Sequence, residues 1–308
     1  MKTQLLTAFS AAVLLLGACA KNDTPDVEHE VINFSGQISQ LKATSNPSGA
    51  STVWASGDQI GIFMVNHGTT TISENSSNRQ YNFNGTVFAP ATGQGIYYPV
   101  SDSKVDFVAY YPFVPTASLS TVQPIDVSSQ NDLSKIDFLW SKATNGVNGF
   151  NKSSGTQVPL VFDHKLSKVV IKPTAGTGLD ASNADWSAMG VKIKGMQTMS
   201  SIDLSTGTLG AASGPADISP FVKASGSAYE AIVLPATYET AGAVRFTFEI
   251  GNDTYAWASQ ANEQFEPGKE YTYTITVHKT GVILGNVTIK IGIPLAVQVR
   301  QIKLGPTL

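Results

Sequence analysis

One thiol, Cys19, and four histidines, His29, His67, His164 and His278, are the side chains of this chain best suited to chemistry. A lone cysteine cannot close a disulfide within the chain, and no two histidines share the spacing of metal ligands. Asp163 and His164 are neighbours, yet adjacent positions on a strand point to opposite faces, so they do not make a working pair. His164 therefore reads as a packed or loop histidine. Asp102, Asp106, Asp132 and Asp137 are scattered, as acids that satisfy turn backbone are. Nothing couples two of them in the manner of a glycoside hydrolase. The chain has no GxSxG elbow and no P-loop. Trp54, Trp140, Trp186 and Trp257 could stack on sugars, but their wide separation suits core or junction positions better. These residues predict no enzyme, no metal and no cofactor.

What Cys19 can do depends on its surroundings. Lys2 gives a positive start, and Leu5 to Ala18 form an apolar run. That run is shorter than the roughly 20 residues of a membrane-crossing helix and suits a signal peptide over residues 1–18. Leu16-Gly17-Ala18-Cys19 resembles a bacterial lipobox, in which the cysteine thiol takes a diacylglycerol, cleavage falls before it and the new amine is acylated. Several acyl chains, at about 0.8 kcal/mol per buried CH2, hold a protein to a membrane where one does not. On this reading Cys19 is the lipidation site and residues 19–30 are a polar tether to the outer membrane. Lys21-Asn22-Asp23 is similar to the charged tag that sends some lipoproteins of Bacteroides-like bacteria to the outer face.

Charged residues make up only 14% of the chain and the formal net charge is −3, so no basic patch invites nucleic acid. Ser, Thr, Gly and Asn are abundant, which suits an exported all-β protein with many turns. Short alternating segments separated by turn residues predict strands. They start at Val31–Ser35 and Gln59–Val65, and continue through Arg79–Gly85, Gly95–Pro99 and Val105–Pro112. The stretch TNGVNGFNKSSGTQ, residues 144–157, is Gly-, Asn- and Ser-rich and reads as a domain boundary or the loop before it. Strands resume at Val158–Phe162 and Lys168–Lys172. Tyr229–Pro235, apolar at every position but Glu230, predicts a central strand, and Val244–Ile250 and Tyr271–Val277 alternate again. Residues 31–157 and 158–290 are thus expected as two β domains, with an atypical tail over 291–308. Only residues 180–188 suggest a helical turn.

Trp54-Ala55-Ser56-Gly57-Asp58-Gln59-Ile60-Gly61-Ile62-Phe63 resembles the "W-x-x-GD-x-IG-[IV]-[FY]" signature of fimbrillin-like lipoproteins, the fimbrial subunits, anchors and tips of Bacteroides-type bacteria. Four further segments are similar in order and spacing: Tyr81–Gly85, Val105–Pro112, Phe162–Lys168 and Pro267–Tyr273. The resemblance spans Cys19 to about Lys290. It implies two tandem transthyretin-like β-sandwich domains. It also implies assembly with other fimbrial subunits by strand exchange: a trypsin-like protease cuts near the start of the first domain, the first strand leaves, and another subunit's strand fills the groove. Adhesion to a host protein or glycan is the implied role. A monomeric surface lipoprotein that binds glycan without polymerising is the alternative.

The family's processing site is an arginine in a "T-R-A"-like context. Here the matching stretch is Gln40-Leu41-Lys42-Ala43-Thr44, so Lys42 is the candidate, for a protease that tolerates lysine. Lys42 as a solvated loop lysine on an uncleaved anchor or tip is the competing reading. The tail also has two readings. As protein, Val287, Ile289, Ile291, Ile293, Leu295, Val297 and Val299 alternate like a donor strand with one buried face. As a gene, it departs from the family's "T-I-x-x-W" ending. Codons AAA-GAT-TGG-AAT-ACC become AAG-ATT-GGA-ATA-CC on loss of one A, which spells the Lys-Ile-Gly-Ile-Pro of Lys290 to Pro294 and makes the tail a frameshift product.

Overall fold

The computed structural model describes residues 30–39, 54–223, 227–291 and 298–300. Cys19, Lys42, the signal, the tether before residue 30 and most of the tail lie outside these residues. The described chain is nearly all β. Its first half holds β1 (Asn33–Ile38), β2 (Gln59–Asn66), β3 (Arg79–Phe83), β4 (Phe88–Pro90), β5 (Val105–Tyr111), β6 (Gln123–Asp126), β7 (Leu139–Ala143) and β8 (Gln157–His164). The second holds β9 (Ser167–Ala175), β10 (Gly190–Lys194), β11 (Gln197–Asp203), β12 (Thr208–Leu209), β13 (Ser213–Pro215), β14 (Phe221–Val222), β15 (Tyr229–Val233) and β16 (Ala236–Tyr238). It ends with β17 (Arg245–Ile250), β18 (Asp253–Ala258), β19 (Glu263–Phe265), β20 (Lys269–His278), β21 (Gly281–Ile291) and β22 (Gln298–Arg300). Helix is confined to single turns, α1 (Leu133–Ile136) and α2 (Ala184–Ser187), the latter within the segment that suggested one.

The first sheet runs β1-β4-β3-β2-β5-β7-β8 and closes, because β1 pairs with both of its ends. A plain sandwich is expected for this half; the closure by β1 is the difference. Without β1 the remaining strands would form an open sheet ending on β4 and β8. The segment from residue 158, expected to open the second domain, lies in β8 of this first sheet. Strand β8 alternates exposed and buried along its whole length, and its inward residues Val158, Leu160 and Phe162 belong to the first core. Sheet membership changes at residues 165–166, and the Gly- and Asn-rich stretch is the β7–β8 loop. Gly95–Pro99 forms no strand; Ile96 O instead accepts from Ile32 N–H at 2.9 Å, and Ile96 N–H donates to the Tyr81 hydroxyl.

The second half is two-layered. A sheet β14-β15-β9-β20-β21-β22 faces the sheet β10-β17-β18. Val169, Ile171, Phe246, Phe248, Trp257 and Tyr273 fill the space between them. β15 lies between β14 and β9 and is buried throughout, its one charged residue, Glu230, held by Lys168 and Lys223.

A third core welds the halves. β2 and β5 are buried on both faces: Ile60, Ile62 and Met64 point into the first core, while Phe63, Val108 and Tyr110 meet Ile202, Leu204, Ile232 and Leu234 of the second half. β6 crosses to pair with β11. Gln130, 3% exposed, donates to Val127 O at 2.6 Å and Ile232 O at 2.9 Å, and accepts from Ile232 N–H at 2.8 Å. Replacing this side chain strands a buried N–H and two carbonyls. We expect Gln130→Ala to lower unfolding stability by about 1–3 kcal/mol, measured by urea denaturation at unchanged m-value.

Candidate functional site

The strand that closes the first sheet has a one-sided hold on it. β1 runs parallel to β8 from Asn33 opposite Gln157 to Ile38 opposite Phe162. On its other edge one pair, Phe34 opposite Phe88, joins it to β4. The ladder is extended by Asn33 N–H donating to Thr156 O at 2.8 Å and Ser39 N–H to Phe162 O at 2.9 Å. Ser39 Oγ also bonds Phe162 O and the Asp163 carboxylate.

Alternate residues of β1 point inward. Ile32 and Phe34 are fully buried, each contributing about 1.5–3 kcal/mol. Phe34 meets Tyr81 at 5.0 Å and Phe107 at 5.1 Å, edge-on, the arrangement ring quadrupoles favour. The Tyr81 hydroxyl donates to Ile32 O and accepts from Ile96 N–H, both at 3.0 Å. Burial pushes its pKa well up, so it stays a neutral donor. Further along, Trp54 Nε1 donates to Gly36 O at 3.0 Å. The indole packs edge-on against Phe88, Phe162 and Tyr111, with centroids 4.9, 5.1 and 5.4 Å away.

Taken together, these contacts make β1 an insert in a slot. Its removal would uncover an apolar cleft lined by Trp54, Tyr81, Phe88, Phe107 and Phe162, beside a β8 edge of unpaired N–H and C=O groups. Such an edge recruits another extended chain. In the sequence Trp54 reads as a core or junction residue and as the first residue of the GD motif, while Gly36 does not stand out. The available signal was a glycine interrupting the inward apolar face Ile32, Phe34, Ile38, since glycine within a strand marks a close approach.

The remaining candidates for chemistry are structural ties. His164 is packed, with Nδ1 2.9 Å from Asp137 Oδ1 and both residues buried. His67 Nδ1 lies 2.8 Å from Asp106 Oδ1, and its Nε2 lies 3.1 Å from Val147 O. Both ring nitrogens face acceptors, and the Asp106 hydrogen bond raises the His67 pKa above its ordinary value. Asp132 accepts from Ser134 N–H at the start of α1, and Asp102 from Lys152 N–H; these two satisfy backbone, whereas Asp106 and Asp137 hold histidines. Trp140 spans the junction, donating to Leu204 O at 2.8 Å, and Trp257 lies in the second core. Glu230 and Glu270 share the buried Lys168 ammonium at 2.9 and 3.2 Å, and Lys223 lies 3.1 Å from Glu230. Among the described residues no three His, Cys, Asp or Glu side chains are arranged to hold a metal ion.

A family model described as fimbrillin-like matches residues 42–290. A candidate fimbrium subunit of Bacteroides uniformis, Fim1C, is 32% identical over 294 residues, which are 92% of this chain and 93% of the relative. The crystal structure of a candidate cell adhesion protein from Bacteroides uniformis superimposes with a TM-score of 0.68 at 31% identity, covering 86% of this chain and 98% of that one. A second candidate adhesion protein, from Bacteroides ovatus, has the same fold at 22% identity, with a TM-score of 0.64 over 87% and 99% of the two chains.

The slot makes a quantitative demand on Phe34. Phe34→Ala should destabilise the intact chain by about 3–5 kcal/mol, the cost of a large cavity in a closed core. Thermal unfolding followed by near-ultraviolet circular dichroism, which reports Tyr81 and Phe107 in that core, measures it.

Proposed function

The chain belongs to the fimbrillin-like family, and from that premise we propose that it is a structural subunit of surface fimbriae, assembled by strand exchange and acting in cell adhesion. The observation that carries the reading is the hold on β1: a full parallel ladder to β8 on one edge and a single pair to β4 on the other. Such a strand closes its own domain yet can be replaced by any extended segment that offers the same backbone groups and the same inward side chains.

The order of events follows from the chain order. Residues 1–18 direct export, Cys19 carries the lipid, and residues 19–30 tether the chain to the outer membrane at the cell surface. Two transthyretin-like sandwich domains follow, the first of them completed by β1. Lys42 lies between β1 and Trp54, and no other Lys or Arg occurs between Lys21 and Arg79. Cleavage after Lys42 severs β1 and the lipid anchor together from the body of the subunit. The partners are then other fimbrial subunits, whose donor strands enter the slot, and a host protein or glycan met by the assembled fibre. Residues 291–308 stand either as this subunit's donor strand or as a frameshift product; β22, inside that tail, pairs back on Val287–Ile289 of β21.

Cleavage and assembly are separable in one experiment. The full chain treated with a lysine-cleaving, trypsin-like protease should yield material beginning at Ala43 that runs as a ladder on SDS gels without boiling. Lys42→Gln should remain uncleaved there and monomeric. Assembled fibres that retain the Cys19 start would overturn processing at Lys42.

A further inference from the structure

We propose that the slot selects its occupant by size at one position, the one Gly36 fills, and that Trp54 is the residue that reads it. The inference rests on the exchange reading above and adds to it a sequence requirement: an extended strand of another subunit with the spacing large apolar, any, Gly, any, large apolar.

Phe34-Ser35-Gly36-Gln37-Ile38 is the template. Its backbone does not ask for glycine at the centre, because Gly36 is not among the residues with positive φ. Space does. A Cβ there would stand 2.6 Å from Phe88 Cε2 and 2.7 Å from Trp54 Nε1, distances that real Cβ atoms essentially never show. Neither ring can give way at low cost. Trp54 is 8% exposed and Phe88 fully buried, and the indole is wedged against Phe88, Phe162 and Tyr111. Its N–H is held by the Gly36 carbonyl, so the same strand position supplies both the gap for the ring and the acceptor for its polar edge.

The division of the chain turns this contact into a gauge. Gly36 precedes Lys42 and leaves with β1, whereas Trp54 follows Lys42 and stays. The vacated slot therefore keeps a fixed indole across one inward position, with the pockets of Ile32, Phe34 and Ile38 open on either side. A donor with a large residue at that position must displace the ring from three aromatic neighbours; one with glycine enters with the ladder to β8 intact. Overpacking of this kind in a closed core is strongly resisted.

The test uses the full chain cleaved after Lys42, with fluorescent peptides spanning residues 31–39 in excess and exchange read by anisotropy. The native peptide should bind, and the Gly36→Val and Gly36→Leu peptides should bind about ten- to hundredfold more weakly. In the Trp54→Ala chain that ratio should fall to below about threefold. In the uncleaved chain the same coupling should appear as non-additivity, with Gly36→Val and Trp54→Ala together lowering the Tm by less than their sum. Equal binding of the native and Gly36→Val peptides, or additive Tm losses, would overturn the gauge while leaving strand exchange intact. Failure of even the native peptide to enter would remove the exchange reading itself.

Discussion

The first core depends on a parallel ladder between two strands from opposite ends of its own sequence. β1 enters before any other described strand, and β8 is the last to join that sheet. Parallel pairing between such distant segments is intrinsically costly in loop entropy, and only the burial of Ile32 and Phe34 with their aromatic neighbours offsets it. Everything that gives the first half its closed form passes through this contact. On the proposed strand exchange this ladder would also be the one replaced, because backbone groups of its kind are offered by any extended peptide.

The second half meets a different requirement. Its core lies between two sheets and owes nothing to β1. The junction is built from strands other than β1: β2 and β5 from the first sheet, β11 and β15 from the second. Gln130 and Trp140 each bond backbone of the other half, and Asp137 and His164 lie beside Lys168 and Glu270 around one small enclosed space. On the proposed strand exchange, such an arrangement would let one strand be replaced while the junction stays intact. That separation of a replaceable closure from a permanent weld is what a fibre built from exchanged strands needs.

Much of this was legible in the residues. The burial of β2 on both faces fits its apolar run Ile60–Val65, and that of β5 and β15 fits theirs apart from Asp106 and Glu230, which hold His67 and Lys168. The absence of long helices among the described residues agrees with the lack of any sustained helical period outside the signal. Sheet membership was not legible: Val158, Leu160 and Phe162 alternate in the same way whichever core they face, and pairing with β7 and β1 decides it. Gly95–Pro99 misled because Ile96 and Tyr98 alternate like a strand, while Ile96 spends its hydrogen bonds on Ile32 and the Tyr81 hydroxyl. Trp54 stood out in the sequence through its motif, but its partner Gly36 lies on the far side of Lys42, and nothing local connects the two.

The central claim is that β1 must leave for subunits to join, and a reversible staple tests it most directly. Ser35 and Pro159 are paired positions on the outer face of β1 and β8, and neighbouring strands lie within the Cα separation a disulfide accepts. A Ser35→Cys, Pro159→Cys chain that also carries Cys19→Ser would be cleaved after Lys42 and followed on unboiled SDS gels. The account predicts monomer while the disulfide is closed and a ladder once it is reduced. A ladder of equal extent from the oxidised protein would contradict it.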